Sequence, residues 1–489
     1  MTRSAAGERP TEIELKLETD ANAAASLRQS AMLTGSAGSE REQFTTYFDT
    51  PDADLRAAGV SLRVRRIGER HIQTIKAGGP ATAGIFARPE WEREIAGPGP
   101  DMDDLAPLHG VVGDSAPVRL RPVFTIAVRR HSWEIERSGT AIELVADEGT
   151  VSVEDRHAAV AEIEAELMSG DPAALFALAR DLGREVPLRL GVLTKAERGY
   201  RLAENLLHRP AKAERVELDE GANVAQAFAA IAGSCLRQFR LNEDALRKNP
   251  QPDALHQARV ALRRLRSALS IFKPVLADDR FDHFAAELRR LAHALGEARD
   301  LDVLVGRLGP NADPAIHTAR EQAYAAALAT LDTQRTRDLM IDLVAWITVG
   351  EWRVRPVDPA VVEQPAEDFA AASLRRLRRR LKKRGQDLDT LDDEQRHRVR
   401  ILAKKLRYVA EFFESLFTGK KARRRYKAFR KRLAALQEDL GELNDLATAP
   451  ALLKRFDLDE QACSPDRREA LIADAAKAHR SLIKAERFW

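Results

Sequence analysis

Residues 11–18 read TEIELKLE, which sets Glu12, Glu14 and Lys16 on alternate positions with Ile13, Leu15 and Leu17 between them. Successive side chains of a β-strand point to opposite faces. One face of this strand is fit for a core, and the other carries two carboxylates beside an ammonium. A half-buried strand with no site at all shows the same alternation. The stretch decides the strand, while the rest of the chain must say whether its charged face meets water or a lumen.

Period-2 runs broken by Gly and Pro continue to about residue 205, among them VSLRVRRI, HIQTIKA, RPEWEREI, FTIAVRRHSWEIE, TAIELVADEG and AEIEAEL. Seven or eight such runs at short spacing predict an antiparallel sheet or barrel. Helices are expected within it around residues 20–32 and over 171–185. The charged faces recur: Arg63 with Arg65, Lys76, Arg88 with Glu90 and Glu92, the consecutive Arg129 and Arg130, Glu162 with Glu164 and Glu166, then Lys195 and Arg198. Solvated outer faces are one reading. If the strands close instead, these faces line a lumen. Carboxylates crowded there repel one another and call for divalent cations, and all-oxygen ligands suit Mg²⁺ or Mn²⁺. Guanidinium forks and ammonium groups in the same lumen call for phosphate oxygens. Acids and bases together point to a metal-chelated oligophosphate.

The ExExK pattern of Glu12, Glu14 and Lys16, followed by LRVR, TIK, RPEWE, EIEAE and TKAERGY, resembles the CYTH family of triphosphate tunnel metalloenzymes over about residues 10–206. That resemblance implies an eight-stranded antiparallel tunnel that hydrolyses a triphosphate with a divalent metal. Carried over motif by motif, Glu12, Glu14, Glu164 and Glu166 would bind metal, with Glu92 and Asp147 as further ligands. Lys16, Arg63, Arg65, Lys76, Arg88, Arg129 or Arg130, Lys195 and Arg198 would hold phosphates. Glu90 would position the attacking water, and Lys16 would share in catalysis. Family members act on inorganic triphosphate, thiamine triphosphate or RNA 5′ ends, or cyclise ATP. Inorganic triphosphate is the expected substrate here. The alternatives are a non-catalytic polyphosphate scaffold, an adenylate cyclase or a thiamine triphosphatase.

Residues 207–217, HRPAKAERVEL, read as a linker, and from 218 to 489 the chain is Ala-, Leu- and Arg-rich with helical periodicity. Two segments recur there in order. HQARVALRRLRSAL at 256–269 matches HRVRILAKKLRYVA at 397–410, and LAHALGEARDL at 291–301 matches LQEDLGELNDL at 436–446. A duplicated helical bundle is expected, each half supplying a basic helix to a shared surface. At about 100° per residue, His256, Arg259, Arg263 and Arg266 form one stripe apart from Leu262, Leu265 and Leu269. His397, Arg400, Lys404 and Arg407 repeat it. A solvated face, or core and capping histidines, is the plainer alternative.

Residues 395–432 hold fifteen Lys or Arg against Glu411 and Glu414, and LRRLRRRLKKR at 374–384 has eight cations and no acid. Such blocks seek a polyanion. Aromatic residues are sparse beside them, which disfavours nucleic acid. HxxRVxxRRLR, its second copy and the paired LGE segments resemble the CHAD domain, a helical module associated with inorganic polyphosphate. That likeness adds Arg264 and Lys405 to the expected polyphosphate contacts.

The whole is thus expected to be an α+β multidomain chain, an antiparallel β tunnel followed by an all-α duplicated bundle. Its 489 residues carry a net charge of only +3, and they are 44% apolar and 31% charged. Two cysteines, Cys235 and Cys463, argue against a disulfide framework and for a reducing compartment. MTRSAAGERP has no apolar core of a signal peptide, and LMIDLVAWITVG is too short to span a bilayer. A cytoplasmic protein, with access to polyphosphate granules, is expected. Oligomeric state is not legible.

Overall fold

The computed structural model describes residues 12–33, 38–76, 81–82, 84–88, 90–101, 108, 119–309, 312–356, 358–457 and 465–489. The chain folds as two compact units. The first comprises residues 1–211, 236–254 and 329–350, and the second 212–235, 255–328 and 351–489.

The first unit is built on one antiparallel sheet. Its strands are β1 (Glu12–Glu18), β2 (Gly38–Asp49), β3 (Ser61–Ile67), β4 (Arg70–Lys76), β5 (Ala81–Thr82), β6 (Ile85–Arg88), β7 (Glu90–Ile95), β8 (Arg121–Arg137), β9 (Thr140–Val153), β10 (Arg156–Ser169) and β11 (Arg189–Leu190). They run in the order β5-β6-β1-β10-β9-β8-β2-β3-β4-β7, with β11 also on β1. A single residue, 89, separates β6 from β7. At one end of the order β6 pairs with β1 and at the other β7 pairs with β4, and the sheet curls as the alternation predicts.

Register fixes which side chains share a face. Glu14 lies opposite Glu166, Lys16 opposite Glu164 and Glu18 opposite Glu162. Glu166 in turn faces Glu143, and Glu162 faces Asp147. The other face of β1 is fully buried at Leu15 and Leu17. Helix α1 (Ala173–Glu185) contacts β1 and β10, burying Leu175, Phe176, Leu178 and Leu182. The same helix meets the Gln334–Val349 helix, where Asp342 pairs with Arg180 at 3.3 Å. This explains the charge that interrupts LMIDLVAWITVG.

Helix α2 (Lys195–Ala203) starts in a capping box between Thr194 and Glu197 and contacts β8, β9 and β10. Tyr200 joins a core of Tyr47, Phe124, Val128, Val151 and Val160. A Cβ at position 199 would come within 2.2 Å of the Phe124 ring, so only glycine lets the helix sit this close. The Tyr200 hydroxyl donates to the buried Asp49 at 2.7 Å, and Asp49 also accepts from the backbone N–H of Thr50, Leu55 and Arg56. Tyr200→Phe should therefore cost about 1–3 kcal/mol, read as a shift in the urea midpoint at constant slope.

The second unit is helical. Its core centres on Phe228, Phe272, Phe369, Phe413 and Trp352, with Phe272 and Phe369 stacked at 4.8 Å. The first basic repeat lies on the Pro252–Leu276 helix and the second on Asp393–Phe412. The duplication is imperfect in backbone. LGEARDL spans a break after Ala294 and opens a new helix at Gly296, whereas LGELNDL lies within the continuous Lys420–Lys454 helix. Cys235 is a buried free thiol, and Cys463 lies outside the described residues. Among the described residues no helix is long and apolar enough to cross a membrane.

Candidate functional site

Inside the curled sheet is a chamber of about 460 Å³. Glu14, Lys16, Arg63, Arg65, Lys76, Glu90, Glu92, Arg130, Glu164, Glu166 and Lys195 all line it. They come from β1, β3, β4, β7, β8, β10 and the first turn of α2. The alternation that separates charged from aliphatic residues along each strand is what aims them into one space. Trp91, on the opposite parity from Glu90 and Glu92, packs on the outer core of Leu62, Val64 and Ile75.

Two expected residues sit elsewhere. Arg129 faces away from its neighbour Arg130 and meets Glu40 at 3.4 Å. Arg198 donates to Glu18 at 2.9 Å and lines a second cavity. Asp147 is fully buried and reaches the chamber through its partners. Glu12 and Arg88 oppose each other in the β1–β6 register, and their side chains lie outside the described residues. Arg41, Gln43, Tyr47, Ser61, Glu143 and Thr194 also line the chamber. Arg41, Gln43 and Tyr47 follow one parity along EREQFTTY, a signal available in the sequence.

Charge is unevenly satisfied. Carboxylate oxygens of Asp147, Glu162 and Glu164 lie within 4.8 Å of one another. Lys195 sits among them, 2.7 Å from Asp147 and 3.0 Å from Glu164, with Glu162 also bonded. Arg130 forks onto Asp147 at 2.8 and 2.6 Å and reaches Glu164 at 3.2 Å, while Lys16 donates to Glu164. Burial alone would raise the Glu164 pKa, but Lys16, Lys195 and Arg130 outweigh it and hold the carboxyl well below its ordinary range. Burial dominates at Glu162, whose pKa is raised.

The other wall is the reverse. Glu90 is held by Lys76 at 3.0 Å and Arg63 at 3.7 Å, and Glu92 accepts from Thr74 at 3.2 Å. Burial, with Arg63 and Arg130 alongside, pushes the Arg65 pKa down to about 9. The guanidinium stays charged at neutral pH, but that charge is crowded and under-compensated. The buried Nε of both Arg63 and Arg65 has no hydrogen-bond partner among the described residues. Orphan cationic donors opposite a carboxylate row suit an anion carried with a cation. The row Glu14, Glu166 and Glu143 gives an all-oxygen donor set that fits a hard divalent ion. The deeper triad already holds ammonium and guanidinium groups in the place an ion would take.

The second unit has a groove of about 830 Å³ lined by His256, Arg259 and Arg263 from the first repeat and Arg400, Lys404 and Arg407 from the second. The two basic stripes therefore meet. Arg299, Asp300, Asn444 and Asp445, from the paired LGE segments, line it too. The Nε atoms of Arg263, Arg400 and Arg407 are buried without hydrogen-bond partners among the described residues. Burial, reinforced by Arg263, Arg400 and Arg407, pushes Lys404 down to about 7. Four expected residues lie outside the groove. Arg264 is buried over the Phe412 ring, and Arg266 is exposed. His397 bonds Asn444, and Lys405 bonds Ser270, its pKa lowered to about 8 by burial beside Arg380 and Arg376.

Comparison with known proteins matches two stretches of the chain to two families. The CYTH domain matches residues 10–200 and the CHAD domain residues 230–454. The chain thus carries a region matched by each of these two domains. Over 162 residues it is 29% identical to an inorganic triphosphatase of Haemophilus influenzae, a match covering 32% of this chain and 45% of that one. It is 26% identical over 402 residues to an uncharacterised protein of Mycobacterium tuberculosis, covering 74% of each. The crystal structure of the CHAD domain from the plant Ricinus communis is 32% identical and covers 57% of this chain and 98% of that one, with a TM-score of 0.48.

Proposed function

We propose that the chamber hydrolyses inorganic triphosphate and that the helical groove binds inorganic polyphosphate. The observation that carries the reading is that Arg63 and Arg65, each with an open Nε, line the same chamber as the Glu14–Glu166 row. Phosphoryl transfer demands positioning and charge neutralisation more than covalent chemistry. Arg63, Arg65 and Lys76 hold phosphate oxygens, and Lys16, Arg130 and Lys195 offset charge on the leaving pyrophosphate. Glu90, fixed between Arg63 and Lys76, accepts a hydrogen bond from water and orients it. The water oxygen attacks the terminal phosphorus, the bridging P–O bond breaks, and phosphate and pyrophosphate separate. A bound Mg²⁺ or Mn²⁺, held by Glu14, Glu166 and Glu143, would neutralise the phosphate oxygens. Glu12 and Glu92 are further ligands in this proposal, whereas Glu164 and Asp147 are already paired with Lys16, Arg130 and Lys195.

The inorganic substrate is favoured over a nucleotide or thiamine ester because Tyr47 is the one aromatic residue in the described lining, and its ring is stacked on Phe124 at 4.6 Å. A phosphate-release assay over tripolyphosphate, ATP, thiamine triphosphate and long-chain polyphosphate tests this. Tripolyphosphate should have the highest kcat/KM and require metal. Cyclic AMP formation, or preference for ATP, would overturn the substrate assignment.

For the groove, an approaching polyanion relieves the repulsion that lowers Lys404. Because that pKa is depressed, Lys404 is half neutral near pH 7 and must take up a proton to meet phosphate fully charged. Affinity for polyphosphate should weaken between pH 7 and 9, by up to about tenfold per unit from this one group. Titration calorimetry in buffers of different ionisation heat should show proton uptake on binding, and Lys404→Met should abolish most of it.

A further inference from the structure

The first unit contains a second and larger cavity, of about 1280 Å³, that the hydrolytic reading leaves unused. Eight arginines and lysines line it against five carboxylates. Arg41, Gln43 and Ile67 line both this cavity and the 460 Å³ chamber, so the two spaces meet there. Much of its carboxylate charge is already matched. Glu18 is held by Arg198 at 2.9 Å and Arg240 at 3.6 Å, Asp244 by His208 at 2.5 Å, and Glu148 by Arg28 at 2.6 Å. Its cations are not all matched in return. Arg41, Arg66 and Lys248 have no carboxylate partner among the described residues. Arg189 and Arg198 are nine-tenths buried along their side chains, at 11% exposure, and each lines the cavity with an Nε that has no hydrogen-bond partner among the described residues. Buried guanidinium donors left open cost stability unless an acceptor reaches them.

We propose that this cavity is a second anion chamber, which holds the distal phosphates of a linear oligophosphate longer than tripolyphosphate while the terminal phosphates occupy the first chamber. The inference rests on the hydrolytic reading of that first chamber. Arg41 stands at the junction, where a chain passing from one space to the other needs a cation. Among the described lining residues Phe44 is the one phenylalanine, tyrosine or tryptophan, beside the imidazoles of His157 and His208, and Arg66 already covers its ring at 5.9 Å. A bare phosphate chain therefore suits the cavity better than stacked bases, and an RNA with a 5′-triphosphate is the rival occupant.

Arg66 and Lys248 are both exposed, so charge reversal of the pair should leave the core intact. In Arg66→Glu/Lys248→Glu, the ratio of kcat/KM for a medium-chain polyphosphate to that for tripolyphosphate should fall about tenfold or more. A ratio unchanged from the parent, including an equal loss on both substrates, would overturn the proposal. A parallel calorimetric titration with the same two ligands would use the full chain with Arg263→Ala and Arg400→Ala to silence the helical groove, with and without the charge reversal. It reads the ratio without turnover. Absence of phosphate release together with a charge-sensitive binding ratio would fault the hydrolytic reading alone. An insensitive binding ratio faults this one, as does tighter binding of a 5′-triphosphate RNA than of polyphosphate at equal phosphate concentration.

Discussion

Glu14→Gln is expected to lower kcat on tripolyphosphate by about 10³-fold or more, the scale on which a preorganised charge-stabilising group acts, while leaving the fold intact. The two effects separate because of where Glu14 sits. It lies directly opposite Glu166 on β10, which lies opposite Glu143 on β9. Like charges opposed across strands are destabilising. Removing one carboxylate charge from that row relieves repulsion but also ends the 3.3 Å ion pair between Lys16 and Glu14, while Lys16 keeps its bond to Glu164. Stability should therefore change little as activity collapses. Arg65→Ala should differ in kind. Its guanidinium has no carboxylate partner within salt-bridge distance among the described residues, and its Nε is open. The main result should be a KM raised by about tenfold, as for loss of a charge-assisted contact, with a smaller change in kcat. Initial-rate kinetics against metal concentration would check both. Undiminished turnover in Glu14→Gln would remove that carboxylate from the metal assignment.

The strand half was legible because one physical rule, period-2 alternation, governs both the fold and the site. ELKLE, SLRVR and EIEAEL each put their charges on the parity that turns inward. Dense acids and bases mark those strands and leave EREQFTTY unmarked, although its Arg41, Gln43 and Tyr47 obey the rule equally. Local pattern also could not choose between Arg129 and Arg130. That choice depends on the register of β8 against β9, where Arg130 lies opposite Asp147. Nor could it report that the acids of the deeper triad would be matched by Lys195, which arrives from a helix some thirty residues further on. In the helical half the 100° rule put His256, Arg259 and Arg263 on one stripe, and these face the groove. It also put Arg266 there, one turn too far along the helix, and His397, which bonds Asn444 instead. Helical periodicity gives a direction around an axis, while the length of a groove is set by the helices that form its walls.

Lys195→Met carries the largest expected effect on stability. Truncating one partner of a buried ion-paired cluster leaves uncompensated charge and costs about 3–5 kcal/mol. Asp147, Glu162 and Glu164 all touch the Lys195 ammonium, and every member of the group is buried. Arg130 and Lys16 would remain against three carboxylates. The pH dependence gives the sign. Glu164 and Asp147 have depressed folded-state pKa values, although burial opposes this, because the surrounding cations hold them ionised. Such groups contribute stability above the unfolded carboxylate pKa, and that contribution is lost as pH falls through the folded value. Glu162, raised by burial, acts in the opposite sense. With the ammonium gone, all three carboxyls shift upward and can take protons in the folded state. The gap between parent and variant should therefore be widest near neutral pH and shrink as the pH approaches about 4, where the unfolded carboxylates also protonate. Urea unfolding of both proteins at a series of pH values would measure it. A gap that stayed constant with pH would mean that Lys195 supports the fold through packing of α2 rather than through the charge it places among the three acids.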